Sequence, residues 1–244
     1  MVNYFTSAET WDSKIYLMSL LPVQGGSAFL TQIEELDWIR AVGHTAVCMT
    51  PVFQCVPEYS WDRLPDPYRI LNHREINRDY GTMDDFLRLV DEIHLRGLKC
   101  ILEIVADSLS KASPLFAEHP EYFIYHERKR ERFRIEKLLK QYHVTYEEFV
   151  KETGLTENDF NGDYGDPDWD KTLRLDYGNP GLCDYQEETL AMWAKYADGF
   201  RCIAAPRVPM TFWERVQRTI GREKPEFIWI LVDEERPETI DDYL

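Results

Sequence analysis

The chain lacks the long apolar runs and the surplus of basic residues on which several classes of protein depend. No apolar stretch approaches the roughly 18 residues that a membrane-spanning helix requires. The 28 lysines and arginines are outnumbered by 44 aspartates and glutamates, giving a formal net charge of −16. Because an acidic surface repels phosphate backbones and anionic lipids, we expect neither nucleic acid nor a membrane as partner. The acidic surplus predicts a well-solvated surface.

The cysteines do not follow the spacing of a disulfide framework or of a metal site. The five cysteines are scattered, odd in number and without a C-x-x-C pair, which argues against a disulfide framework and against a zinc site. Cys48, Cys100 and Cys202 fall in strand-like apolar stretches, where a thiol acts as a small core hydrophobe. Residues 1–4 have neither the basic start nor the apolar stretch of a signal peptide. We therefore expect a reducing, cytoplasmic setting.

What the sequence does contain is a regular alternation of strand-like and helix-like segments. Apolar runs predict strands at 14–20, 45–52, 98–105, 199–205 and 226–232. Helical periodicity predicts helices at 27–42, 82–96, 183–197 and 209–220. Strands that alternate with helices form a parallel sheet with right-handed crossovers, so the fold class is α/β.

Several motifs resemble one enzyme family. The stretch Gly199-Phe200-Arg201-Cys202-Ile203-Ala204-Ala205 resembles Gly-Phe-Arg-x-Asp-x-Ala, which ends the fourth barrel strand in the alpha-amylase family of retaining glycoside hydrolases. Other stretches resemble that family in order and spacing, from about residue 14 to about residue 238. They are residues 42–53, 80–86, 89–99, 175–180 and 208–213.

The resemblance implies a fold that this chain only partly fills. A (β/α)8 TIM barrel has eight strand–helix units, whereas this sequence predicts about five, with a helical insertion after strand 3. Residues 1–107 and 181–244 are then an incomplete barrel domain, and residues 108–180 are an inserted subdomain. An open arc leaves strand edges unpaired. Three explanations stay open: a fragment of a longer chain, a sheet completed by a partner chain or a second copy, or a remodelled minimal domain.

The resemblance also locates the family's two catalytic carboxylates. It places Ile203 at the position of the nucleophile and Val232 at the position of the general acid, so neither catalytic carboxylate is present. A retaining glycosidase requires two carboxyl groups about 5–5.5 Å apart. Asp233 and Glu234 are fallback acids: Glu234 keeps the strand parity of Val232, while Asp233 falls on the opposite face.

The family's third-strand motif, D-x-V-x-N-H, is altered as well. Glu103, Asp107 and Ser108 replace its Asp, Asn and His. Ser108 is too short to make the sugar contact that the family's His makes. Arg201, which orients the nucleophile in the family, is expected to pair with Glu103 or Asp107. Glu103, Asp107 and Arg201 are candidate substrate-binding residues, with a purely structural ion-pair network as the alternative.

Aromatic residues supply the other binding candidate. The family places an aromatic side chain after the second strand, and here that region contains Trp61, whose ring could stack on a sugar. Packing of Trp61 beneath the insertion is the alternative. Trp38, Trp193 and Trp213 fall within helical patterns, and we expect them in the core.

One acidic loop has the spacing of a calcium site. Asp159, Asn161 and Asp163, with Asp170 eleven residues after the first, place oxygen ligands at alternate positions. Tyr164 stands where the sharp turn needs glycine, and no glutamate closes the loop. A solvated turn is therefore the favoured interpretation and calcium the alternative. No other cofactor is predicted.

Two functions are consistent with these residues. The first is a member of the alpha-amylase family without catalytic carboxylates, acting as a carbohydrate-binding or interaction scaffold for alpha-linked glucosides or oligosaccharides. The second is an active alpha-glycosidase or transglycosidase that uses displaced carboxylates or a completing partner chain. In either case the open sheet predicts self-association or a partner.

Overall fold

The computed structural model describes residues 13–57, 66–124, 145, 148 and 172–232. In chain order its strands are β1 Ile15–Met18, β2 Ala46–Met49, β3 Phe53–Cys55, β4 Ile70–Ile76, β5 Lys99–Val105, β6 Ser108–Ser110, β7 Thr172–Arg174, β8 Gly199–Ile203 and β9 Ile228–Leu231. Its helices are α1 Ala28–Gln32, α2 Leu36–Ala41, α3 Met83–Leu95, α4 Pro114–Glu118, α5 Pro180–Ala194 and α6 Met210–Glu223. Short 3-10 turns cover Ile33–Glu35, Pro120–Tyr122 and Ala205–Arg207.

The central element is a five-stranded parallel sheet in the order β1-β2-β5-β8-β9. All five strands predicted from the apolar runs are in it, each within a few residues of its expected bounds. The prediction of a partial barrel with alternating strands and helices is confirmed. The predicted helix at 27–42 is interrupted by the turn Ile33–Glu35, which separates α1 from α2.

Local signals explain where the longer helices begin. At the start of α3 the Thr82 hydroxyl accepts the N–H of Asp85, and the Asp85 carboxylate accepts the N–H of Thr82. This capping box satisfies two N–H groups that would otherwise lack partners. At α5 the side chain of Asn179 accepts the N–H of Gly181, and Pro180 occupies the first turn, where its missing N–H costs nothing.

The sheet is apolar on both faces, as continuous apolar strands predict. On the helix side, Met49, Leu102, Phe200 and Trp229 join the main core. On the opposite side, a smaller cluster contains Ala46, Cys48 and Ile101, with Ile15, Ile228 and Ile230 packed against it. Gly199 lies on that opposite side in register with Ile101 and Ile228.

Gly199 is required by close packing. A Cβ atom at this position would lie 2.6 Å from Cβ of Ile228 and 2.7 Å from its carbonyl oxygen. Contacts this short force the backbone of β9 to shift, so glycine keeps β8 and β9 in register.

The tryptophan and cysteine predictions have mixed outcomes. Trp193 and Trp213 are buried in the core, and Cys48, Cys100 and Cys202 are buried in the sheet. Trp38 is 56% exposed, so its assignment to the core was wrong. The reason is that α2 buries Leu36 and Ile39, whereas Trp38 lies on the exposed side of the helix.

Two small antiparallel pairs were not predicted: β3 with β4, and β6 with β7. Strands of three residues leave almost no periodic signal, and β4 carries polar side chains in its middle. The β6–β7 pair joins the two ends of the segment 108–180. Residues 125–171 of the predicted helical insertion lie almost entirely outside the described residues, and the domain boundaries stay a prediction. None of the helices that the structure describes is long and apolar enough to cross a membrane.

Candidate functional site

The candidate site lies where β5 and β8 end. These strands are parallel neighbours, and their register pairs Glu103 with Arg201 and Val105 with Ile203. Residues opposite each other in a parallel pair point to the same face of the sheet. Glu103 and Arg201 therefore emerge side by side on the face opposite the main core.

Glu103 is a buried carboxylate with a hydrogen-bond donor on each of its two oxygens. Its side chain is 4% exposed and forms an ion pair with Nη1 of Arg201. Its second oxygen accepts a hydrogen bond from the Tyr68 hydroxyl at 2.9 Å. Of the two partners that the sequence left open for Arg201, the structure selects Glu103. A buried carboxylate with a donor on each oxygen is held in a fixed orientation.

Asp107, two residues past the end of β5, is a buried carboxylate in a second ion pair, with Arg207. Its carboxylate accepts hydrogen bonds from Nη1 of Arg207 and from the Ser108 hydroxyl, each at 3.3 Å. Burial raises the pKa of Asp107, while Arg207, Arg174 and the Ser108 contact oppose that rise. The Arg207 contact was not anticipated, because Arg207 lies in the 3-10 turn after β8.

Aliphatic side chains lie at the neighbouring strand ends. Ile203 is the last residue of β8, and Val232 directly follows β9. The N–H of Val232 donates to the Cys202 carbonyl at 2.9 Å, and the Val232 carbonyl accepts the N–H of Ala205 at 3.0 Å. The two positions that the resemblance assigns to catalytic carboxylates are thus held on adjacent strand ends.

The backbone turns sharply after Ile203. Ala204 has a φ of 51°, the one positive φ among the non-glycine residues that the structure describes. A side chain in this left-handed region costs about 1–2 kcal/mol. The turn is supported from below, since Nε1 of Trp213 donates to the Ala205 carbonyl at 3.1 Å.

Tyr68 is a binding candidate that the sequence did not single out. It lies just before β4, is 41% exposed and reaches Glu103. The sequence pointed to Trp61 instead, which lies outside the described residues. The signal that could have found Tyr68 is an aromatic residue just before a predicted strand, but β4 itself was missed.

His73 is a buried histidine beneath the same site. Its Nε2 donates to the Val105 carbonyl at 2.7 Å, and its ring packs edge-on against Phe53. Burial lowers the pKa of His73 from 6.5 to about 4, with the Val105 contact opposing the shift. The imidazole is therefore neutral in the folded protein at neutral pH.

This neutral histidine predicts acid sensitivity. Since its pKa is lowered on folding, its contribution to stability is complete above pH 6.5 and is lost as the pH falls toward 4. The expected slope is up to about 1.4 kcal/mol per pH unit. Urea unfolding across this range should show a shallower pH dependence for His73→Gln than for the wild type. The exposed His119→Gln is the control, and parallel profiles for His73→Gln and wild type would contradict the assignment.

Several predicted site residues lie outside the described residues. These are Trp61, the fallback acids Asp233 and Glu234, and the calcium-loop residues Asp159, Asn161, Asp163 and Asp170. Their roles stay predictions. Within the described ranges, no group of three or more His, Cys, Asp or Glu side chains is placed to hold a metal ion.

The comparisons with known proteins agree on one family. The profile described as "Alpha amylase, catalytic domain" matches residues 31–230. Alpha-amylase MalA of Haloarcula japonica is 25% identical over 224 residues, which are 92% of this chain and 29% of that protein. A probable oligo-1,6-glucosidase of Bacillus subtilis is 35% identical over 86 residues, 35% of this chain and 14% of that protein.

A solved structure resembles the fold over nearly the whole chain. The crystal structure of an alpha-amylase from Lactobacillus plantarum has a TM-score of 0.71 and 27% sequence identity, and the match covers 97% of this chain and 48% of that one. The chain thus spans less than half the length of the relatives named here. Since the catalytic-domain profile matches most of the sequence, the chain belongs to the alpha-amylase family.

Proposed function

We propose that this chain binds alpha-linked glucosides or oligosaccharides without cleaving them. The proposal depends chiefly on Ile203, whose aliphatic side chain ends β8 where the family resemblance places the nucleophile. An isoleucine has no lone pair to attack an anomeric carbon and no charge to stabilise an oxocarbenium-like transition state.

The carboxylates that remain nearby are poorly suited to replace it. Glu103 is already bound by Arg201 and Tyr68, and Asp107 by Arg207. Asp107 lies two residues past the end of β5, and the two carboxylates are held by different arginines. A retaining glycosidase requires one carboxylate that attacks and one carboxylic acid that donates its proton. Two carboxylates that are each held in an ion pair favour binding over catalysis by displaced carboxylates.

The same residues offer what sugar binding needs. Tyr68 presents a half-exposed aromatic ring, and Arg201, which shares the buried Glu103 carboxylate with it, is partly exposed. Aromatic rings stack on the apolar face of a pyranose, while charged and polar groups accept or donate to its hydroxyls. The three relatives named above are alpha-amylases or an oligo-1,6-glucosidase by name, which favours an alpha-glucoside as ligand.

A binding titration with maltotriose tests the proposal. Wild-type protein should bind, and Tyr68→Ala should bind about tenfold more weakly because the stacking ring is lost. Tyr68→Phe is the matched control: it keeps the ring, loses only the hydrogen bond to Glu103, and should retain most of the affinity. Absence of maltotriose binding by the wild type would refute the proposal.

The second candidate function is an active alpha-glycosidase or transglycosidase. Membership of the alpha-amylase family favours it. Burial also raises the pKa of Asp107, which is the direction that a general acid needs. Incubation with an activated alpha-glucoside and with malto-oligosaccharides separates the two functions. Turnover abolished by Asp107→Asn, Asp233→Asn or Glu234→Gln would establish the enzyme and exclude the non-catalytic proposal.

A further inference from the structure

Three arginines lie around the strand ends that form the candidate site. Arg201 is in β8, Arg207 is in the 3-10 turn that follows β8, and Arg174 is the last residue of β7. The antiparallel pairing of β6 with β7 places Arg174 opposite Ser108. Side chains opposite each other in such a pair share one face. Arg174 therefore lies on the side of Ser108, whose hydroxyl donates to the buried Asp107 carboxylate.

Arg174 acts on that carboxylate through its charge alone. The charges of Arg207 and Arg174 both oppose the rise that burial causes in the pKa of Asp107, but only Arg207 makes a hydrogen bond to it. Within the described ranges, Arg174 is half-buried and has no carboxylate at salt-bridge distance. The nearby Asp176 side chain accepts the backbone N–H of Gly178. Arg174 is thus a partly desolvated cation whose counter-ion is missing from this part of the chain.

The acidic side chains of the site are buried more deeply than the arginines. Glu103 and Asp107 are 4% and 6% exposed on their side chains, whereas their partners Arg201 and Arg207 are 23% and 31% exposed. With Arg174, these described residues carry three positive charges against two negative ones. A ligand at this face therefore meets positive charge, although the chain as a whole has a net charge of −16.

We propose that the alpha-glucoside bound at this site carries a phosphate group, and that Arg174 is the contact that selects it. The inference rests on the proposed function, because it names the class of glucoside that the same site binds. A guanidinium presents its N–H groups as a planar fork that matches the oxygens of a phosphate. The phosphate would supply the counter-ion that Arg174 lacks among the described residues.

A neutral sugar suits these charges less well. It would cover the Arg174 guanidinium and take it further out of water without supplying a negative charge, which costs free energy. A phosphate monoester carries nearly two negative charges and three acceptor oxygens at neutral pH. It can therefore accept from Arg174 while Asp107 stays paired with Arg207.

Calorimetric titration with maltose and with maltose 1-phosphate, which differ only in the phosphate, tests the proposal. At low ionic strength, wild-type protein should bind maltose 1-phosphate about tenfold more tightly than maltose. Because the gain is electrostatic and the arginines are partly exposed, the ratio of the two affinities should fall as salt is added. Inorganic phosphate should bind more weakly than maltose 1-phosphate, since it lacks the sugar contacts.

Arg174→Gln tests the assigned contact. It should reduce the affinity ratio about tenfold, because the amide keeps hydrogen-bonding groups but has no charge. Arg218→Gln is the matched control: it removes the same charge from the exposed side of α6 and should leave the ratio unchanged. Circular dichroism checks that both variants are folded.

The outcomes separate this inference from the proposed function. Equal affinities for maltose and maltose 1-phosphate would overturn the inference, while binding of maltotriose would still support the proposed function. Equal ratios for Arg174→Gln and Arg218→Gln would also overturn it, as would inorganic phosphate that binds as tightly as maltose 1-phosphate. If maltotriose, maltose and maltose 1-phosphate all fail to bind, the proposed function fails as well.

Discussion

Replacing Arg201 with methionine is expected to destabilise the fold by about 3 kcal/mol, because it leaves the buried Glu103 carboxylate without its charged partner. Glu103 is 4% exposed and Arg201 23% exposed on their side chains. Tyr68 can still donate to one oxygen, but one neutral hydrogen bond does not replace a guanidinium. Urea unfolding at neutral pH measures the loss.

A second variant separates the lost pair from lost packing. Glu103→Gln/Arg201→Met removes both charges while keeping most of the volume. It should be more stable than Arg201→Met alone, since no charge is left buried. A double-mutant cycle on the two sites gives the coupling free energy.

Glu188→Gln provides the control on an exposed pair. Glu188 pairs with Arg74 on the surface, where the side chains are 73% and 36% exposed. Weakening an exposed pair of this kind should cost about 1 kcal/mol or less. If Arg201→Met is no more destabilising than Glu188→Gln, burial does not govern the stability of the Glu103–Arg201 pair.

The Glu103–Arg201 pair also shows which features of the site the sequence alone can predict. The sequence predicted both strands and offered Glu103 or Asp107 as the partner of Arg201. Choosing between them requires the register of β5 against β8, and the sequence of neither strand specifies that register. Ninety-eight residues separate Glu103 from Arg201, and most of the inserted segment lies between them.

The sheet was predictable because its apolar strands are buried on both faces, so pattern and packing agree. The features that were missed are short or polar. Tyr68 precedes β4, a strand that was not predicted because its middle residues are polar. Arg207 lies in a three-residue turn. Trp38 was misplaced for another reason: the predicted helix contains several apolar residues, and in α2 only Leu36 and Ile39 face the core.

Trp213 joins the core to the strand end that carries Ile203. It is fully buried and packs edge-on against Phe212 and Trp229. Its indole N–H donates to the Ala205 carbonyl, one residue past the strained Ala204. Trp213 thus supports both the helix-side core and the turn that closes β8.

Replacing Trp213 with alanine should therefore cost about 3–5 kcal/mol, the usual range for a buried tryptophan, because it opens a large cavity. The Ala205 carbonyl loses the indole N–H but keeps the Val208 N–H at 3.1 Å. Trp213→Phe, which leaves a smaller cavity, should therefore cost less than Trp213→Ala. Urea unfolding followed by circular dichroism measures both variants. Leu95→Ala is the control on an exposed side chain, with an expected change within about 0.5 kcal/mol. Equal stabilities for Trp213→Ala and Leu95→Ala would mean that the indole is not part of the packed core, and that the turn after Ile203 is held by its backbone hydrogen bonds without the indole.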